Sequence, residues 1–434
     1  MTARRLLIPL AAALLALTTT VAPGQAHRGH HGCGDASSEF CASSTVLHRS
    51  SPGRAGLDAS AVREAEQQVR AHEIAPDGGL PLFPGAVATM GHRGKIVTTD
   101  ASGYALRYAD ASTQLPRKQW IPMRDDTIFD VASVSKLFTS IAVVQLVEEG
   151  KVRLDAPVAT YLPEFAANGK QDVTVQQLLS HTSGFQAGLP LWSKYPDKAS
   201  RIKAVMDEPL TNPAGSTYLY SDLNMITLGV MVEKLRGKPL DQVVAQRITR
   251  PLHLRDTGYN PRDRRRVAAT EYQATPARGL VWGQVHDENA WSLGGVAGHA
   301  GVFSTARDLS VLAQTLLNGG TYAGHRILAK DSVRRLITDV NGAFPGDAHG
   351  LGFELDQDWY MGALSGPRTA GHTGYTGTSI VIDFDRKSFA ILLTNRVHPT
   401  RTAGSVNPAR VEWSNGLARA MGVAVPAPTT SSTP

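Results

Sequence analysis

The segments that alternate like β-strands lie at the two ends of the folded part of the chain. Near the N-terminal end, residues 86–97 alternate on either side of a turn at residues 91–94. Near the C-terminal end, residues 379–395 do the same around a turn at residues 385–387. Both patterns predict β-hairpins. A sheet assembled from both ends requires that the chain between them leaves the sheet and returns to it.

The sequence between the hairpins is mostly helical, and helical patterns also flank them. The predicted helices begin near residue 58 and also cover residues 137–147, 174–184, 225–235, 309–317 and 408–421. This arrangement predicts an α+β fold in which an antiparallel sheet, formed from N- and C-terminal segments, is flanked by helices. A mainly helical subdomain is inserted at about residues 150–300. A site is then expected in the cleft between sheet and subdomain.

Residues 1–26 have the composition of an export signal. Arg4 and Arg5 precede an apolar run over residues 6–17, and small residues at positions 24 and 26 suit cleavage by a signal peptidase. The run is shorter than the roughly 20 apolar residues that cross a bilayer. We therefore expect a secreted protein with no stable membrane insertion after signal removal.

Composition sets the other boundaries. Residues 27–57 are rich in His, Gly, Ser and Arg and predict a disordered linker, and residues 425–434 predict a disordered tail. The folded domain is expected at residues 58–424. The chain has two cysteines, Cys33 and Cys41, which in an oxidising compartment could close a small loop that staples the linker. The sequence leaves open whether they pair.

The chain carries a thin excess of positive charge. It has 44 Lys and Arg against 38 Asp and Glu, a formal charge of +6. No basic run is interleaved with aromatic residues in the way that nucleic-acid binding requires. We therefore expect no nucleic-acid partner, and we expect a monomer.

Ser133 and Lys136 are three residues apart at the start of a segment, residues 137–147, that is apolar almost all round. On a helix this spacing places both side chains on one face, and an all-round apolar helix is buried. Ser133 then lies at a helix N-terminus, where N–H groups favour an oxyanion. Burial lowers the pKa of a lysine, so a neutral Lys136 could take the proton of a nucleophilic Ser133. A second Ser-x-x-Lys, at residues 200–203, lies in a polar context and is interpreted as chance.

Tyr220 and Asp222 form a second candidate group. Tyr220 follows a turn at residues 213–216 that could project it into a cleft. Beside an ammonium, the pKa of the phenol would fall from about 10, and the phenolate would serve as a general base. The alternative for Tyr220 is an ordinary core tyrosine. The alternative for Asp222 is a cap of the helix that contains Met225.

A third group is His372-Thr373-Gly374, which precedes the strand at Ser379. Glycines here let a substrate backbone approach closely. The N–H of Tyr375, together with that of Ser133, would form an oxyanion hole. The alternative is that residues 371–377 are simply a flexible turn.

Other hydrolytic signatures are missing from the sequence. It contains neither a Gly-x-Ser-x-Gly elbow nor a His-Glu-x-x-His motif. His286, Asp287, Glu288 and His299 could be imagined as zinc ligands, but their spacing matches no established pattern. His181 is interpreted as a structural histidine. We expect no metal and no other cofactor.

The three motifs, in this order, resemble the β-lactamase and penicillin-binding serine hydrolase family in its class C-like branch. That branch includes class C β-lactamases, secreted DD-carboxypeptidases and EstB-like esterases. Supporting strings lie at residues 178–184, 213–215, 250–252 and 298–306, and the similarity covers roughly residues 80–420. The resemblance implies that Ser133 is acylated, that Lys136 and Tyr220 transfer protons, and that no metal takes part.

Two positions depart from the class C lactamase pattern. His372 stands where lactamases carry Lys, and Asp222 stands where they carry Asn. An Asn amide can donate to a substrate carbonyl, whereas an ionised Asp cannot, and Asp222 would also raise the pKa of Lys136. Both changes disfavour β-lactam turnover.

We therefore expect an exported serine hydrolase that acts through an acyl-enzyme on an ester or amide. The expected partner is a small-molecule or peptidoglycan-derived substrate, such as a cell-wall peptide or a small ester. Two alternatives remain: a peptidoglycan amidase or D-aminopeptidase, and a penicillin- or peptide-binding protein with little turnover.

Overall fold

The computed structural model describes residues 33, 38–75 and 79–426. The predicted export signal, and the predicted tail from residue 427 onward, lie outside these residues. Within the described residues, no helix combines the length and the apolar composition that a membrane span needs.

Fifteen strands lie in the described part of the chain: β1 (His48–Arg49), β2 (Gly85–His92), β3 (Lys95–Leu106), β4 (Ile121–Pro122), β5 (Phe129–Asp130), β6 (Gly258–Tyr259), β7 (Tyr272–Gln273), β8 (Gly279–Leu280), β9 (Val302–Ser304), β10 (Thr321–Tyr322), β11 (His325–Arg326), β12 (Glu354–Leu355), β13 (Thr369–Gly374), β14 (Thr378–Asp383) and β15 (Ser388–Thr394). The same residues contain twelve α-helices: α1 (Ala59–Ala71), α2 (Ser135–Glu148), α3 (Val175–Leu179), α4 (Leu191–Lys194), α5 (Lys198–Asp207), α6 (Asp222–Arg236), α7 (Leu240–Val244), α8 (Glu288–Ser292), α9 (Ala306–Leu317), α10 (Lys330–Leu336), α11 (Asp358–Met361) and α12 (Asn407–Ala420).

Eight of these strands form one sheet from both ends of the chain. Its order is β1-β3-β2-β15-β14-β13-β12, with β4 paired to β3. The two predicted hairpins are β2–β3 and β14–β15, and β15 joins them by running antiparallel to β2, with Thr394 opposite Ala86. The predicted α+β architecture is confirmed. The sheet is mixed rather than purely antiparallel, because β1 pairs parallel to β3.

Helices cover both faces of the sheet. On one face α1 packs against α12, where Val62, Ala65 and Val69 share a buried cluster with Trp413 and Leu417. Helix α1 begins where predicted, since the Asp58 carboxylate accepts the N–H of Ser60. Helices α2 and α9 belong to the larger core on the other side.

The region between the two halves of the sheet carries helices α3 to α8 and short strands. Helix α3 has the predicted capping box, in which Thr174 and Gln177 each satisfy the other's backbone N–H. The helix ends at Leu179 rather than at Gly184. His181 takes a left-handed backbone, with φ of 57°, which a continuing helix cannot contain.

Residues 38–57 are packed onto the domain, so the predicted disordered linker is wrong over this stretch. Phe40 and Cys41 are buried, and the Cys41 N–H donates to the carbonyl of Leu317 at 2.8 Å. Cys33 and Cys41 form a disulfide. The polar composition concealed the few apolar side chains that anchor this segment to α9 and to the sheet edge.

Candidate active site

Ser133 lies in a 3-10 turn, Ala132–Val134, that leads directly into α2. Helix α2 is apolar on every side and buried for nearly its whole length, as predicted. Ala132 has a left-handed backbone with φ of 47°, a conformation that L-residues with a Cβ rarely adopt. The turn therefore presents Ser133 at the N-terminal end of a buried helix.

The Lys136 ammonium is fully buried behind Ser133. Its Nζ donates to the Ser133 Oγ at 2.9 Å and to the carbonyl oxygen of His299 at 3.1 Å. It also lies 2.8 Å from the Asp222 Oδ1. An ammonium has three N–H groups, and three oxygens surround it here. The surroundings therefore suit the charged form of Lys136.

The charge of Lys136 differs from the sequence expectation. Burial by itself lowers the pKa of Lys136, as expected, but the Asp222 carboxylate, followed by Tyr220, outweighs burial and raises the pKa above its usual value. The prediction of a neutral amine is therefore wrong for the free protein. Burial is the largest single influence on this pKa, but Asp222 and Tyr220 together exceed it.

Tyr220 stands on the cavity side of the same group. The Lys136 Nζ lies 4.7 Å from the centre of the Tyr220 ring. Burial raises the pKa of Tyr220 to about 12, although Lys136, and the neighbouring Ser133 hydroxyl, oppose the rise. The prediction of a lowered phenol pKa is therefore wrong. Both candidate proton acceptors hold their protons at neutral pH.

Asp222 is the first residue of α6 but not its cap. The Ser221 Oγ accepts the N–H of Leu223 and caps the helix. The Asp222 side chain, which is 30% exposed, instead faces the ammonium of Lys136. Its principal contact is therefore with the site.

The His372-Thr373-Gly374 string forms the end of strand β13, so it is neither a flexible turn nor a segment ahead of the strand. Strand β12 pairs with β13 only at Ala370 and Gly371. Beyond Gly371, this edge of β13 pairs with no other strand among the described residues. Such an edge offers backbone N–H and C=O groups to an extended peptide.

His372 is buried and neutral. Burial, followed by the charge of Lys136, lowers the pKa of His372 to about 3. Its Nδ1 lies 2.7 Å from the carbonyl oxygen of Thr373, so the proton sits on Nδ1. A neutral imidazole therefore stands where class C lactamases place a lysine.

A cavity of about 770 Å³ opens on this group. Six of the predicted residues line it: Ser133, Tyr220, His372, Thr373, Gly374 and Tyr375. Lys136 and Asp222, the other two predicted residues, stand behind Ser133 and Tyr220. The cavity lining also contains residues that sequence reasoning missed: Tyr218, Asp347, His349, Glu354, Trp359, Arg396, Arg401 and Arg410. No short motif marks these side chains, which come from separate segments.

Arg396 and Arg410 bring positively charged side chains to one part of the cavity. Arg410 donates to the carbonyl oxygens of Gly374 and Thr378 at 2.7 and 2.9 Å. Burial lowers the pKa of Arg410 to about 10; Glu354 opposes the fall, and Arg396 adds to it. Arg396 donates to the carbonyl of Tyr375 at 3.0 Å, and its guanidinium lies 4.7 Å from the Tyr375 ring. Within the described residues, both guanidinium groups hydrogen-bond to neutral oxygens.

One cluster of metal-ligating atoms occurs in the described residues. Atoms of Asp222, Asp287 and His299 lie within 4.8 Å of one another. The His299 Nε2 is already 3.0 Å from the Asp287 Oδ1, and Lys136 occupies the other side of Asp222. The imagined zinc set is not assembled as such, because His286 pairs with Glu271 at 2.9 Å.

Two further interpretations concern His181 and the second Ser-x-x-Lys. The His181 Nδ1 accepts hydrogen bonds from the Ser221 N–H and the Asn224 amide, both at 3.1 Å, and its ring lies 4.6 Å from that of Tyr220. This is the expected structural role. Ser200 caps α5 together with Asp197 and lines no part of the cavity.

The comparisons with known proteins agree on one family. A family model described as Beta-lactamase matches residues 78–412. A protein of Escherichia coli (strain K12) named "Putative D-alanyl-D-alanine carboxypeptidase" is 33% identical over 405 residues, which cover 85% of this chain and 89% of that protein.

Solved structures match in fold. The crystal structure of a penicillin-binding protein homologue from Caulobacter crescentus has a TM-score of 0.64 at 22% identity, covering 83% of this chain and 97% of that chain. The crystal structure of a family VIII carboxylesterase has a TM-score of 0.62 at 22% identity, with the same coverage.

Proposed function

The chain belongs to the Beta-lactamase family of serine hydrolases, and from this premise we propose that it is an exported hydrolase that forms an acyl-enzyme on Ser133. The proposed substrate is a cell-wall peptide with a free C-terminal carboxylate. The observation that carries the proposal is the Ser133 Oγ, 2.9 Å from the buried Lys136 Nζ and facing a cavity beside Tyr220.

Acylation begins with loss of the Ser133 proton. Since Lys136 is charged and Tyr220 is protonated, the reactive form has one proton fewer than the resting site. In that form, either a Tyr220 phenolate stands beside the Lys136 ammonium or a Tyr220 phenol stands beside a neutral Lys136 amine. Both arrangements have lost the same number of protons, so they appear as one step in a pH titration. The Ser133 Oγ then bonds to the substrate carbonyl carbon, and the C–N bond breaks. The leaving amine takes the proton, and water releases the acyl group by the same route in reverse.

The N–H groups of Ser133 and Tyr375 are proposed to hold the developing oxyanion. Ser133 lies at a helix N-terminus, and Tyr375 follows the last residue of β13. The acyl part of an extended substrate would pair with the unpaired edge at residues 372–374.

The arginines beside this edge favour a carboxylate-bearing substrate over a neutral ester. Arg396 and Arg410 flank the Gly374–Tyr375 peptide and hydrogen-bond to neutral partners, so their guanidinium groups could pair with an incoming carboxylate. The Escherichia coli relative is named for an activity on such a substrate, D-alanyl-D-alanine.

A second candidate is a peptide-binding protein with little turnover. The observation that favours it is the resting charge of Lys136, which leaves little free base at neutral pH. Burst kinetics, with one equivalent of product and no steady phase, would identify this case.

The test is a substrate panel on purified full-length protein. It compares a peptide ending in D-Ala-D-Ala, the same peptide amidated at its C-terminus, a p-nitrophenyl ester and nitrocefin. We expect turnover of the free peptide above that of the amidated one, and its loss in Ser133→Ala. Ser200→Ala, in the second Ser-x-x-Lys, is the matched control and should keep activity. Equal activity of wild type and Ser133→Ala would contradict the proposal.

A further inference from the structure

Asp130 is a buried carboxylate that touches the turn carrying the nucleophile but does not line the cavity. Its side chain is 2% exposed. The Oδ1 accepts the N–H of Ala132 at 2.9 Å, and the Oδ2 accepts the N–H of His286 at 2.6 Å. Both oxygens therefore act as acceptors for backbone amides.

The first of these contacts holds the backbone immediately before Ser133. Ala132 has the left-handed backbone already described, and its N–H donates to the Asp130 carboxylate. A strained residue of this kind persists only when its surroundings hold it in place. The direction of the next amide, that of Ser133, depends on this conformation.

The same short segment also holds the other candidate oxyanion donor. The Thr376 Oγ1 donates to the backbone oxygen of Asp130 at 2.7 Å, and the Thr378 Oγ1 donates to that of Val131 at 3.1 Å. Tyr375 precedes Thr376, and its ring stacks on the ring of His286 at 5.8 Å, with 22° between the planes. Asp130 thus contacts the turn of Ser133 through its carboxylate and the segment of Tyr375 through its backbone oxygen.

We propose that Asp130 is a positioning residue that fixes the two halves of the oxyanion hole relative to each other. This inference rests on the proposed function, because it assumes that the amides of Ser133 and Tyr375 hold an oxyanion. Asp130 acts through Ala132, His286 and Thr376 and does not touch the substrate. An oxyanion hole works only if its donors are placed before the charge develops.

Asp130→Asn is the direct test, because the amide keeps the size of the carboxyl but carries one acceptor and one donor. Its NH2 must face the N–H of Ala132 or that of His286, which moves one of the two anchors. Asp383→Asn is the matched control. Asp383 is equally buried, and its Oδ1 accepts the backbone N–H groups of Asp385 and Arg386, while its Oδ2 accepts from the Arg386 guanidinium. The turn that contains these residues lines no part of the cavity.

Kinetics on the best substrate of the panel, and inhibition by phenylboronic acid, separate positioning from folding. Phenylboronic acid forms a tetrahedral adduct whose oxygen would occupy the oxyanion hole. In Asp130→Asn we expect kcat to fall about 10²-fold, the cost of losing one oxyanion donor, and the inhibition constant to rise by a similar factor. We expect KM to change by less than about threefold, since ground-state binding does not use the oxyanion hole fully. Asp383→Asn should change none of the three.

Amide hydrogen exchange supplies a readout that does not depend on turnover. Exchange at Ala132 or His286 should become at least tenfold faster in Asp130→Asn and stay unchanged in Asp383→Asn. If Asp130→Asn does not fold, Thr376→Val tests the second link of Asp130, the one through its backbone oxygen, with Thr376→Ser as the conservative variant that should restore kcat.

The failures of the two ideas are distinguishable. Ser133-dependent turnover with wild-type kcat in Asp130→Asn, or equal kcat in Thr376→Val and Thr376→Ser, would overturn the positioning role alone. A kcat that falls in step with thermal stability in both aspartate variants would do the same. Turnover that survives in Ser133→Ala would overturn both the proposed function and the inference built on it.

Discussion

Replacing Asp222 by asparagine tests whether this carboxylate holds the site in its resting, protonated state. Asp222 contacts the Lys136 Nζ at 2.8 Å, and it is the largest influence that raises the pKa of that lysine. Asparagine keeps the shape and removes the charge. The pKa of Lys136 should therefore fall, because burial is then opposed only by Tyr220.

The size of the fall follows from the contact distance and the exposure of Asp222. Two unit charges about 4 Å apart attract by about 4 kcal/mol at an effective dielectric constant of about 20. Asp222 is 30% exposed, so water screens part of this attraction. We expect a fall of about 1 to 3 pKa units, since one unit corresponds to about 1.4 kcal/mol.

The assay is the pH profile of kcat/KM on the best substrate of the panel. In Asp222→Asn the alkaline rise should move to lower pH, and kcat/KM at pH 7 should increase by about tenfold or more, because more of the reactive form is present. Asp347→Asn, which removes another carboxylate lining the cavity, should leave the profile in place. An unshifted profile with a tenfold lower kcat/KM in Asp222→Asn would refute this reasoning and make Asp222 a direct participant.

Two further predictions follow from the same charges. In the wild type, log kcat/KM should rise with a slope near +1 between about pH 7 and 9, since the pKa of Tyr220 is raised to about 12 and that of Lys136 is raised as well; a flat profile would contradict the protonated resting site. Arg396→Gln should raise KM for the free D-Ala-D-Ala peptide about tenfold, the low end for losing a charge-assisted hydrogen bond, and should leave KM for the amidated peptide unchanged; equal effects on both peptides would exclude a carboxylate contact.

The frame of the fold was predictable from the sequence because it depends on local patterns. The alternation around residues 91–94 and 385–387 predicts hairpins, and the apolar run after Lys136 predicts a buried helix. Neither prediction depends on where these elements lie in the folded protein. The packed segment at residues 38–57 was missed for the same reason. This segment is attached through single buried side chains such as Phe40, and isolated apolar residues form no repeating pattern in the sequence.

The candidate site was predictable in its membership but not in its charges. Ser133, Lys136 and Tyr220 come together as the motifs implied. The charge of Lys136 depends on a contact across 86 positions, to Asp222, and its magnitude depends on distance and burial that a sequence does not contain. Arg396 and Arg410 were not predicted, because the sequence around an isolated arginine does not tell whether it lines a cavity or the outer surface.

The central claim is that one hydroxyl, that of Ser133, is the group that becomes acylated. Mass spectrometry of the protein after treatment with a fluorophosphonate, followed by peptide mapping, tests this directly. The account predicts a single adduct on the peptide that contains Ser133, no adduct in Ser133→Ala, and labelling slowed at least about 10²-fold in Lys136→Ala. An adduct on another residue, or equal labelling of wild type and Ser133→Ala, would contradict it.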